Sequence, residues 1–144
     1  MNAESAATAS SAARPLPIER WHRMLERRDP GELDALLADD VVFESPVVHT
    51  PQAGKPITLM YLRAAFDVLN NDSFRYLNEW FGDRSAVLEF ATECEGIRIN
   101  GVDMIWWNET GQITRFKVMV RPLKAINLLH QMMGRTLERM ARPG

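Results

Sequence analysis

Several things are scarce in this sequence, and each scarcity closes off a class of protein. Its 144 residues include one cysteine, Cys94, so no disulfide can form within the chain, and such usage fits a reducing, cytoplasmic setting. No apolar run approaches the roughly 18 residues a membrane-spanning helix needs, so no membrane partner is expected. Neither sign of charge prevails: 17 lysines and arginines stand against 19 aspartates and glutamates, a balance that offers nucleic acid no basic surface. The three histidines, at 22, 49 and 130, lack metal-ligand spacing, and the lone cysteine adds no ligand set. Neither a metal nor another cofactor is expected. No internal repeat is visible.

What is present is the mix of one globular domain, 46% hydrophobic and 25% charged. The Ala/Ser-rich start, MNAESAATASSAAR, has neither a basic head nor an apolar segment, so it does not read as a secretory signal. The expected organisation is a flexible tail over 1–15 and a single domain over 16–144.

Apolar periodicity gives the elements. Ile18, Trp21, Met24 and Leu25 share one face of a helix from 18 to about 28, which Asp29-Pro30-Gly31 breaks. A short helix carrying Leu33, Leu36 and Leu37 is expected to run to Asp39-Asp40. VVFESPVV, 41 to 48, reads as a strand that kinks at its proline, and HTPQAGKP as a loop. A third helix is expected over 57–70. Four strands follow, at about 74–81, 85–94, 97–107 and 112–121, joined by turns short enough to make neighbours antiparallel. A last helix over 122–141 carries the stripe Leu123, Ile126, Leu129, Met133, Leu137 and Met140. It can lid a pocket, pack on its own sheet or cross to a partner. The fold class is α+β: a curved, mostly antiparallel sheet wrapped around helices, plus this C-terminal helix.

Strand parity then assigns faces. Leu88, Phe90 and Thr92 point one way, as do Phe116 and Val118 on the last strand. In GVDMIWW, 101 to 107, Asp103, Ile105 and Trp107 oppose Val102, Met104 and Trp106, so this strand is apolar on both faces. Helices cover one face. A second copy of the chain is the expected cover for the outer face, through Met104 and Trp106. Asp103 is a carboxylate among apolar neighbours, and burial there demands either a partner or a raised pKa. It reads either as an anchor in the core or as acid, base or hydrogen-bond anchor for a bound carbonyl or hydroxyl compound.

The order of elements, with LLADDVVFESP (36–46), Gly54-Lys55 and GVDMIWWNETGQITRF (101–116), resembles the nuclear transport factor 2-like superfamily. This is the cone fold of ketosteroid isomerase-like and SnoaL-like polyketide cyclase-like proteins. The resemblance implies a dimer with a deep apolar pocket for a hydrophobic small molecule, in a family of enzymes and non-enzymes alike. It places Asp103 at the ketosteroid isomerase oxyanion-hole acid, Ser45 at that enzyme's general base, and Trp21 near its tyrosine. Two of those three roles are not kept, which argues against steroid isomerase activity. The implied pocket wall is Trp21, Ser45, Tyr61, Leu88, Phe90, Asp103, Ile105, Trp107, Phe116 and Val118.

Other candidates stay two-sided. His49, in the loop after the first strand, is either a second proton carrier at the pocket mouth or a surface histidine. Tyr61 either reaches the pocket with its hydroxyl or packs in the core. Glu79 is either a second pocket carboxylate or a cross-strand partner of Arg75, and His22 is expected to face solvent. Two readings follow: cofactor-free acid/base catalysis of isomerase, cyclase or hydratase type centred on Asp103, or a dimeric module that binds a small molecule or protein without chemistry. Whether the chain is an enzyme stays open at this point.

Overall fold

The computed structural model describes residues 14–141; residues 1–13 of the expected tail lie outside the described residues. Helix α1, Leu16–Arg27, buries Ile18, Trp21 and Met24 along one face. It stops where Arg28 turns left-handed at φ 51° and donates its N–H to Leu25, with Asp29 closing on Met24 and Pro30 barring continuation. After a 3-10 turn comes α2, Leu33–Leu36, shorter than expected. Leu37 is already extended, and strand β1 spans Leu37–Glu44. The stretch expected to end the helix is instead an irregular strand start. Its pairing jumps between Leu37 and Val42, letting Asp39 and Asp40 reach water while Leu37, Ala38 and Val41 stay buried.

Strand β1 ends sooner than expected, because Ser45 Oγ accepts from the Val47 N–H (3.1 Å) and turns the chain at Pro46. Two residues of the expected loop, Gln52–Ala53, form β2 antiparallel to β1. Helix α3, Lys55–Leu69, starts with Pro56 in its first turn and ends at Asn70, whose Nδ2 donates to Leu25 O (3.2 Å) and ties α3 to α1. The meander is β3, Arg75–Gly82; β4, Ser85–Cys94; β5, Ile97–Trp107; and β6, Ile113–Arg121. Helix α4, Leu123–Ala141, closes the described chain.

Among the described residues there are thus four α-helices and one six-stranded curved sheet, ordered β2-β1-β6-β5-β4-β3 and not closed. All pairings are antiparallel except β1 with β6, which is parallel. The register builds inner rows across the sheet. One is Tyr76, Phe90, Gly101, Val120; the next Glu79, Leu88, Asp103, Val118; the third Phe81, Ala86, Ile105, Phe116. The outer face carries Trp80, Val87, Met104 and Met119, with the Arg115 guanidinium 4.6 Å above the Trp106 ring and bonded to Glu44 (2.6 Å).

Helix α4 packs against α3 and the neighbouring ends of β5 and β6. It buries Ala125, Leu128, Leu129 and Thr136, while the expected stripe residues Leu123 and Met140 are exposed. Of the three destinations its stripe allowed, it roofs the space left between α3 and the sheet.

Candidate functional site

That space is an apolar cavity of about 230 Å³. A dry cavity of about 150 Å³ already accommodates benzene, so this one has room for a ring with substituents. Its wall is built by α1, β1 and its turn, α3, the inner sheet face and α4. Position 101 shapes one side. A Cβ on Gly101 would stand 2.6 Å from Phe90 Cζ and 2.6 Å from Met119 O, so glycine lets the Phe90 ring lie across β5. Phe74 stacks on that ring at 5.4 Å.

Asp103 stands at the inner wall, 7% exposed. Its hydrogen-bond partner Tyr76 is neutral and donates its hydroxyl proton to Asp103 Oδ2 at 2.6 Å. Trp21 in turn donates its indole N–H to the Tyr76 hydroxyl at 2.9 Å. The result is a three-member chain in which every donor points toward the carboxyl. Burial raises the Asp103 pKa, against the lowering pull of the Tyr76 hydrogen bond, to about 7. Burial first, then the nearby Asp103 charge, pushes the Tyr76 hydroxyl well above its ordinary value, so it keeps its proton. Near neutral pH, Asp103 can therefore donate a proton or accept one, beside a donor that does not ionise.

Tyr76 was absent from the sequence-based site, and the reason is local. The β3–β4 register shifts between Tyr76 and Asn78, so Leu77 is an extra residue. The bulge puts Tyr76 and Glu79 on the same inner face, where plain alternation would separate them. It also overturns the pairing of Glu79 with Arg75. Arg75 is exposed and donates to Ser73 O (3.1 Å). Glu79 instead receives Arg14 Nε at 3.1 Å, and His22 Nε2 lies 2.6 Å from its Oε2. His22 is thus turned inward, with its ring edge-on to Tyr76 at 5.1 Å, and does not face solvent as expected. Burial works to raise the Glu79 pKa, but His22 and Arg14 outweigh it and hold the carboxyl below its ordinary value.

Of the ten residues expected on the pocket wall, Trp21, Ser45, Tyr61, Phe90, Asp103, Phe116 and Val118 line the cavity. Leu88 and Ile105 do not: both are fully buried in the packed core. Trp107 is also elsewhere, half-buried against the core, where the β5–β6 register slips after Trp106 and carries it past the cavity. His49 lies on an exposed bend outside the lining, whereas His130 of α4 is at its edge. Among the described residues, Asp103 is the sole carboxylate in the wall.

The sequence pattern of the SnoaL-like domain family matches residues 18–116. Among solved structures, a steroid delta-isomerase from Pseudomonas aeruginosa is 37% identical, with a TM-score of 0.82, covering 86% of this chain and 90% of that one. An uncharacterised cystatin-like protein from Silicibacter pomeroyi DSS-3 is 29% identical, with a TM-score of 0.77, covering 83% of this chain and 84% of that one. The epoxide hydrolase/cyclase-like SalBIII, of pyran-ring formation in salinomycin, shares the fold at 15% identity and a TM-score of 0.59, covering 73% and 88%. No curated protein sequence matches.

Proposed function

The chain belongs to the SnoaL-like domain family, and on that premise we propose that it binds a hydrophobic small molecule bearing a carbonyl or hydroxyl. Asp103 and Tyr76 form the hydrogen-bonding pole, and the reaction is a cofactor-free, acid/base isomerisation. One observation carries the reading: a carboxyl with a pKa of about 7 faces an apolar cavity, bonded to a donor that stays protonated. The protonated form can donate to a ligand carbonyl, and the ionised form can lift a proton from the adjacent carbon. The same carboxyl can then return the proton at another carbon, so the isomerisation balances without a second base. The likeness to a steroid delta-isomerase supports the class of reaction. Ser45, at the wall where the resemblance puts a base, favours a second reading: binding without turnover.

Conversion of 3-cyclohexen-1-one into its conjugated isomer, followed by ultraviolet absorbance, separates the two. The wild type should accelerate it at pH 7, and Asp103→Asn should lose roughly 100-fold or more. Phenol binding without acceleration would leave the binding module; failure to bind phenol would remove both.

The outer sheet face supports a homodimer. Trp80 and Met119 are large and exposed there beside half-buried Val87, Met104 and Trp106, with charged Arg115, Lys117 and Glu89 around them. Sedimentation at micromolar concentration should give twice the chain mass, and a stable single-chain mass would refute the dimer.

A further inference from the structure

We propose that Gly134 is a specificity-determining position: its missing side chain leaves a slot in α4 through which an elongated ligand passes an apolar stem, ring end inside and tail end in water. The inference rests on the cavity's being the ligand site. Glycine in a helix interior is disfavoured against alanine, and two ordinary needs excuse it: a left-handed backbone, or close approach of other atoms. Neither applies at 134. Gly134 lies well inside the 19-residue helix and is not among the left-handed positions. Beyond its chain neighbours and the backbone of its own helix, a Cβ built on it meets no heavy atom within 4 Å, in contrast to the crowded Gly101. Packing within the described chain therefore does not call for glycine there.

Its position supplies a reason. Gly134 is exposed and also lines the cavity. The other exposed lining residues are Val48 and His130, so these three mark the rim, while Asp103 belongs to the buried wall. Half-buried Met133 and Leu137 flank the glycine on the same helix face and give the slot apolar sides. A side chain at 134 would enter the open rim. The hydrogen-bonding pole lies within residues 18–116, whereas α4 lies beyond them, so pole and slot are set by different parts of the chain. The ligand class is a slender amphiphile: a ring inside, a methylene stem past Met133 and Leu137, and a polar end near His130.

The test uses ligands whose ring has no hydrogen-bonding group, so it does not depend on Asp103. Titration calorimetry would compare benzene with 6-phenylhexan-1-ol on the wild type, Gly134→Ala and Gly134→Leu. Gly134→Leu should weaken 6-phenylhexan-1-ol at least tenfold and leave benzene within twofold. Gly134→Ala should raise Tm by about 2–4 °C, because the helix gains without a clash. Equal losses for both ligands, no loss for the long one, or no binding of it to the wild type would overturn the slot. A lower Tm for Gly134→Ala would also overturn it, since the glycine would then be needed for packing. Phenol binding no better than benzene would count against the Asp103 pole alone and leave the slot standing.

Discussion

Two carboxylates share one row of the inner sheet face, Glu79 on β3 and Asp103 on β5, with Leu88 between them. Both are largely withdrawn from water, Glu79 half-buried and Asp103 buried more deeply. Their proton affinities nevertheless move in opposite directions. Glu79 sits against Arg14 and His22 and is held below its ordinary pKa; Asp103 sits against a neutral tyrosine and is raised to about 7. At Glu79 the pull of His22 and Arg14 outweighs burial, whereas at Asp103 deeper burial meets only the hydrogen bond of a neutral tyrosine. The pair at Glu79 is neutralised inside the protein and free to be structural. Asp103 has a neutral donor, Tyr76, and among the described residues no ion pair, and that is the arrangement a proton-handling group needs.

The largest test of this contrast is stability against pH. Asp103 is protonated more readily in the folded chain, about 7 against an ordinary value near 3.8. Between those values the folded state holds a proton that the unfolded state has lost, so its stabilising effect is full below about pH 4 and fades as pH rises through 7. Three pH units at about 1.4 kcal/mol each set an upper bound on the order of 4 kcal/mol. Urea unfolding of the wild type should therefore show stability lost between pH 4 and 8. Asp103→Asn should flatten that slope while keeping the shape of the side chain. An unchanged slope in the variant would mean that Asp103 titrates in the folded chain as it does in water.

Much of this architecture was legible because its pattern is regular. Strands β4 to β6 alternate without interruption around Asp103, so parity alone put Asp103, Phe90, Phe116 and Val118 on one face. Parity failed where the chain departs from it. One extra residue at Leu77 turned Tyr76 and Glu79 to the same side, and RYLNEWF leaves no strong mark of a bulge. The sole clue was a polar aromatic on a strand bordering the sheet that also held Asp103. His22 was misread for a different reason. Helical spacing sets it beside arginines, and its burial depends on Glu79, 57 positions away in sequence, which no local pattern encodes. Periodicity likewise identified the stripe of α4 but not what it covers, so the cavity roof and His130 at its rim emerged from packing alone.

The smallest effect belongs to the other half of the comparison. Arg14 reaches Glu79 with two nitrogens, at 3.1 and 3.4 Å, but is itself a quarter exposed, and His22 already touches the second carboxylate oxygen at 2.6 Å. Replacing Arg14 with methionine keeps an unbranched stem and removes the guanidinium from the Glu79 carboxylate. Glu79 then keeps His22 and leans on it more. The cost at pH 7 should be about 0.5 kcal/mol, in the range of partly exposed ion pairs. The sign with pH is opposite to that of Asp103: a lowered carboxylate stabilises above its unfolded pKa, and the contribution disappears as pH falls through the folded value. Arg14→Met should therefore differ from wild type at pH 7 and converge with it at pH 3, while the Asp103 slope between pH 4 and 8 stays as it was. Carbon-13 titration of the Glu79 carboxyl should move upward in the variant, with Asp103 unmoved. A shift of both carboxyls together would show that the two ends of the row act as one cluster, and the contrast between them would fail.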